Sequence, residues 1–310
     1  MNIRKEIHTA IILLSVLILY QQPVQAVVEL NTGSYEDQLI RGIDAFYRTD
    51  WRDAQKYFDE LKSEYPDDPR AYFFESMIPF WKYFFVEQKV DFAKQFMSLS
   101  ERAVLKSEKY LKQVPDDTTT VMILSGLYGY RSLVAAGEKE YRQAISSAIN
   151  GFSYTRKLLA LNESRPDARV GRGMFYYMTG NIPRELRWMT NAIGIRGNTA
   201  MGLEELEKAS QSDSYIRFEA KMILAYLYNR EGKFEKSLHY LDLLLEDYPT
   251  NSIFHFFRAE VLERLEEHGK AHIAYITVLK LDNSHFETLI EISKERINKL
   301  TGIGYLKNSH

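Results

Sequence analysis

One spacing recurs three times along this chain. Gly42 and Pro66 lie 24 residues apart, with Trp51, Ala54 and Phe58 between them. Ala225 and Pro249 are equally spaced, with Phe234, Ser237 and Leu241 at the same offsets, and Ala259 and Asn283 frame His268, Ala271 and Tyr275. Each set reads as a small residue on one helix, a small residue on the next, a bulky residue four positions later and then a helix stop. A hairpin of this kind cannot bury its apolar face alone, so copies must stack on one another. The spacing predicts an all-α solenoid.

Proline sets the length of each hairpin. Pro66, Pro115 and Pro166 are 49 and 51 residues apart, and the long interval from Pro166 to Pro249 leaves room for one more boundary near Gln211-Ser212-Asp213-Ser214. One regular hairpin (35–68) is expected, then three elongated central ones (69–116, 117–166 and 167–217, together 69–217), then two regular ones (218–251 and 252–285). A capping helix over 286–300 and a tail over 301–310 complete a single solenoid spanning 35–300. Helices of the elongated units should reach about 20 residues, or about 30 Å. Strand signals, alternating β-branched runs between tight turns, are absent.

The repeated residues resemble tetratricopeptide repeats. Leu224-Ala225, Tyr228, Gly232, Phe234, Ser237, Leu241 and Pro249 follow that family's pattern, and Gly42, Trp51, Ala54, Phe58 and Pro66 follow it in the first unit. Arg41 stands where leucine is usual, Glu266 where glycine is common, and Asn283 where proline is common. The resemblance implies a superhelix whose first helices line a concave groove for a protein or peptide partner. Carried over by offset, it selects Leu39, Ile43, Phe46 and Tyr47, then Met222, Tyr226, Asn229 and Arg230, then Phe256, Glu260, Glu263 and Arg264. This mixed set departs from the lysine and asparagine clamp with which some members hold C-terminal carboxylates. The stretch from Gly173-Met174-Phe175 through Pro183 to Gly202-Leu203 distantly resembles a eukaryotic repeat family linked to clearance of lipid inclusions.

Composition narrows the function classes. The chain is 45% hydrophobic, enough for a large core, and its formal charge of −2 comes from interspersed acids and bases. A nucleic-acid binder would concentrate basic residues on one face. There is no cysteine, hence no disulfide, thiolate metal site, cysteine nucleophile or lipoprotein anchor. Arg4 and Lys5, the apolar run Ala10–Tyr20, Pro23 and the small residues Val24 and Ala26 read as an export signal over 1–26, cleaved after Ala26. A short segment, 27–34, would then precede the first repeat. The apolar run is too short for a membrane span, which takes about 20 residues, and no span is expected in the mature chain. The expected location is the periplasm or the exterior.

Two clusters remain. Ala71 to Phe85 holds eight aromatics: Tyr72, Phe73, Phe74, Phe80, Trp81, Tyr83, Phe84 and Phe85. An all-round apolar helix of this kind is either buried core or the lining of a site for a peptide or an apolar ligand. Ten of the sixteen glycines fall between Gly126 and Gly202; no strand or Gly-Lys-Ser/Thr follows, so close helix packing explains them better than phosphate binding. His268 and His272 are four apart, yet no third ligand accompanies them, and a satisfied pair is expected rather than a metal site. No nucleophile elbow, zincin motif or dinucleotide fingerprint is present. The sequence therefore points to a non-enzymatic scaffold for a protein or peptide, without cofactor. Its alternative is a carrier or sensor of an apolar small molecule or lipid held in the aromatic central region.

Overall fold

The computed structural model describes residues 32–161, 165–181, 197–281 and 286–307. The export signal, Asn283, Pro183 and Gly194 lie outside the described residues. Within them the chain forms α-helices and one π-helical turn, with no strand. The helices are α1 (Thr32–Tyr47), α2 (Trp51–Glu64), α3 (Pro69–Trp81), α4 (Val90–Gln113), α5 (Thr118–Gly137), α6 (Tyr141–Ala160), α7 (Pro166–Gly180), α8 (Thr199–Ser210), α9 (Ile216–Arg230), α10 (Phe234–Asp247), α11 (Ser252–Arg264), α12 (His268–Lys280) and α13 (Glu287–Lys307). Successive pairs from α1/α2 to α11/α12 pack as antiparallel hairpins, and α13 packs on α12. No helix among the described residues is long and apolar enough to cross a membrane.

Local chemistry explains the helix ends. Side chains of Asp68, Asp117, Asn198 and Asn251 accept N–H bonds from the first turns of α3, α5, α8 and α11, satisfying donors that a helix start leaves open. Pro69 and Pro166 sit in the first turns of α3 and α7, where a missing N–H costs nothing. In the central units α4, α5 and α6 run to 24, 20 and 20 residues. In the fourth hairpin α7 and α8 have only 15 and 12.

Four hairpins share one turn. Thr49, Lys139, Gly232 and Glu266 all have positive φ, between 60° and 73°. Around each, the same two bonds close the turn: Thr49 N–H to Phe46 O and Asp50 N–H to Ala45 O, with equivalents at Lys139, Gly232 and Glu266. Ser237 donates to Ala225 O (2.7 Å) across the fifth hairpin, and Ser132 donates to Ala144 O (2.9 Å) across the third. The third hairpin thus carries the repeat register in Ser132, Lys139, Tyr141 and Ala144, which its long helices conceal in the sequence.

The first helix of each hairpin forms the inner layer and the second the outer. Every residue of α3 except Arg70 is buried, and α5 is buried along most of its length. By contrast α4, α6, α10 and α12 bury one stripe each. In the fourth hairpin, glycine allows backbone contact: a Cβ at Gly202 would stand 2.5 Å from Tyr177 N and 2.6 Å from Gly173 O.

The solenoid closes on itself. Asn251, at the start of the sixth hairpin, donates to Tyr47 O at the end of α1 (2.7 Å). Trp51 packs edge-on against Phe286, Trp81 against Phe254, and Phe85 against Phe257. Units far apart in sequence thereby share one core.

Candidate functional site

Closure fills most of the concave face with the chain's own side chains. Glu219 of α9 is 2% exposed. Its carboxylate accepts hydrogen bonds from Tyr47 of α1 (3.1 Å) and Tyr130 of α5 (3.3 Å). Burial, then the Glu219 charge, pushes both phenols well above the ordinary tyrosine value, so each stays a protonated donor. The Tyr47 ring stacks on Tyr248 at 5.4 Å and lies beside Trp81 and Phe218. Three hairpins thus meet at one buried carboxylate, and removing either phenol takes a hydrogen bond from a buried charged acceptor.

Burial corrects the open-groove expectation at five positions. Leu39, Ile43, Phe46, Tyr47 and Phe256 are all 5% exposed or less: Phe46 packs against Phe74 and Trp81 of the second hairpin, Phe256 against Tyr275 of its own hairpin, and Tyr47 against Phe218 and Tyr248 from the far end of the superhelix. Asn229 and Arg230 are half-buried, and the Asn229 amide oxygen is buried without a partner among the described residues. Arg264 is exposed and lies 5.6 Å over the Phe234 ring of α10. In the aromatic segment Tyr72, Phe73, Trp81 and Tyr83 are core. Tyr83 also donates to Glu138 (2.7 Å).

What remains open is an apolar crevice where the two expected sets meet. Phe84 from the aromatic segment faces Met222 and Tyr226 from the groove set, with Phe80, Phe85, Tyr130, Leu133 and Ile223 completing the wall. Phe84 and Phe85 come from the π-helical turn Lys82–Val86, which follows Pro79 in α3. Proline removes a helix donor and crowds the preceding turn, and a π turn is a common device at functional sites. Here the turn leaves Phe84 and Phe85 half-buried while their neighbours are core. The enclosed space between the walls is only about 30 Å³, far below the roughly 300–1,000 Å³ of small-molecule sites. Burial raises the Tyr226 phenol to about 12, with Arg230 pulling it down, so it is a neutral hydroxyl in an apolar wall.

At this size the crevice takes the end of an apolar side chain and offers one hydroxyl for orientation; a small apolar molecule enters only where the walls move apart. Tyr130, Leu133 and Ile223 escaped sequence reasoning. They sit on helices buried nearly all round, where no face stands out. His272 meets Thr301 at 3.3 Å, and no group of three or more His, Cys, Asp or Glu among the described residues could hold a metal ion.

A family model described as tetratricopeptide repeat matches residues 39–68 and 219–251, the first and fifth hairpins. Among solved structures, the chain is similar to a tetratricopeptide repeat protein from Parabacteroides merdae ATCC 43184, at 14% identity over 87% of this chain and 99% of that one, with a TM-score of 0.33. No curated protein matches the sequence.

Proposed function

We propose that this tetratricopeptide repeat protein is an exported scaffold that binds a protein or peptide partner, and that the Phe84–Tyr226 crevice receives an apolar side chain of that partner. Repeats of this family generally hold partners rather than transform substrates. One observation carries the reading: Phe84, Met222 and Tyr226 line an apolar opening between hairpins on the inner face. Its walls supply no nucleophile beside a base, as covalent or acid–base catalysis needs. The amino-terminal signal supports export, with a mature chain beginning at Val27.

A photo-crosslinking residue in place of Met222, in the full chain in its native cell, tests the partner. Covalent attachment to another protein, lost on Tyr226→Trp, is the expected result; attachment only within the chain counts against it. Intact mass of the chain recovered from the envelope or medium tests export, and a mass retaining residues 1–26 refutes cleavage.

The apolar lining also favours a second reading, a small apolar ligand in the same crevice. Native mass spectrometry of the purified chain separates the two: a co-purifying apolar molecule released by Tyr226→Trp supports the carrier.

A further inference from the structure

We infer that the outer face of α6 is a second docking surface, shaped for an acidic amphipathic helix of a protein partner; this rests on the scaffold reading above. The observation is a stripe that stays exposed among the described residues. Tyr141, Ile145 and Ile149 are 53%, 62% and 62% exposed. Their spacing of four places them on one helix face, and Phe152, half-buried and stacked on Phe175 at 5.9 Å, continues it toward α7. Isolated exposed apolar residues are ordinary, whereas a contiguous row marks an interaction site.

The repeat register sharpens the point. Tyr141 occupies, two residues beyond the positive-φ turn, the position that Trp51 holds in the first hairpin. Trp51 is buried, with Phe286 against it at 5.1 Å. The same position in the third hairpin is 53% exposed, with no covering ring among the described residues.

Charge selects the occupant. Helix α6 contains Arg142, Arg156 and Lys157 and no acidic residue; the nearest acid is Glu140 at its N-terminal cap. Lys157 is engaged by Asp116 and by Pro115 O. Arg142 and Arg156 are exposed, and neither makes an ion pair among the described residues. They flank the apolar row at either end of the same face. A partner helix with its own apolar row, framed by carboxylates, matches both features. An anionic membrane fits less well, because surface binding of that kind takes clusters of about four to eight basic residues.

The test is selection of helical peptides from a random display library on the intact mature chain. Selected peptides should carry acidic residues around apolar residues spaced three and four apart. Synthetic copies should lose about tenfold or more in affinity to Ile145→Glu/Ile149→Glu and to Arg142→Glu/Arg156→Glu. Affinity should also fall between about 50 mM and 500 mM salt, and remain unchanged with Tyr226→Trp. All four altered residues are exposed, and a parental melting curve for each variant confirms folding. A library yielding no binder, or binders without acidic enrichment, overturns the inference. So does binding of phosphatidylglycerol vesicles, or self-association, that the same variants abolish. If the α6 variants act as expected while crosslinking at Met222 fails, only the crevice reading falls; the reverse pattern removes only this one.

Discussion

Asn251 performs two tasks that one substitution separates. Its Oδ1 caps α11 by accepting from Phe254 N–H (3.0 Å), and its Nδ2 donates to Tyr47 O (2.7 Å), joining the sixth hairpin to the first. The side chain is fully buried. Asn251→Asp keeps the capping acceptor, since Asp and Asn cap equally well. It removes the donor and sets a buried carboxylate against the Tyr47 carbonyl. An orphaned buried group costs about 1–3 kcal/mol, and more when charge is involved, so a loss of about 2–4 kcal/mol is expected. At about 2 °C per kcal/mol for a chain of this size, the Tm should fall by about 4–8 °C. Asn251→Ala loses the cap as well, worth about 1 kcal/mol. Asn198→Asp is the control: Asn198 is exposed and caps α8, so that change should stay within about 0.5 kcal/mol. Thermal and urea unfolding of the three variants provide the measurement. If Asn251→Asp melts with the parent, the contact between the first and sixth hairpins contributes nothing and the closed ring is wrong.

Other outcomes follow from the same coordinates. Phe58 is fully buried and stacks on Phe74 at 5.8 Å, so Phe58→Ala should cost about 3–5 kcal/mol in urea unfolding. Gly202→Ala drives a methyl into the backbone of Gly173 and Tyr177, whereas at Gly171 it meets only the Leu158 side chain. The first should therefore lower the Tm clearly more than the second, and equal effects would refute the backbone contact. Glu266→Gly should raise the unfolding free energy by about 0.5–1 kcal/mol, read as a higher urea midpoint at unchanged m-value, because it relieves positive φ at an exposed turn. Burial holds the His255 imidazole below its usual pKa, so folding disfavours its protonation. That contribution to stability is full above about pH 6.5 and is lost as pH falls through the lower folded value. His255→Gln should flatten this part of the stability–pH curve, and an unchanged slope would remove His255 as its source.

Much of the architecture was legible because hairpin chemistry is local. Pro69, Pro166, the caps Asp68 and Asp117, and the paired small residues at 42/54 and 225/237 write helix ends and close approaches directly into the sequence. The third hairpin's register was written just as plainly in Ser132 and Ala144. It went unread because Lys139 stands where glycine is common and the long helices obscure the period. The site was half legible. Phe84, Met222 and Tyr226 were named, but on separate grounds, and only the packing of α3, α5 and α9 brings them to one wall.

The opening spacing determined that this chain stacks helical hairpins, since a small residue at 42 with another at 54 admits few other partners for a helix. It could not determine that Phe46, Tyr47 and Phe256 become core while Tyr141, Ile145 and Ile149 stay at the surface. Exposure along a solenoid depends on the curvature accumulated from small rotations between successive hairpins, and no local pattern encodes that sum. Only the tertiary structure shows the ends meeting at Tyr47 and Asn251, the crevice at Phe84 and Tyr226, and the bare outer face of α6.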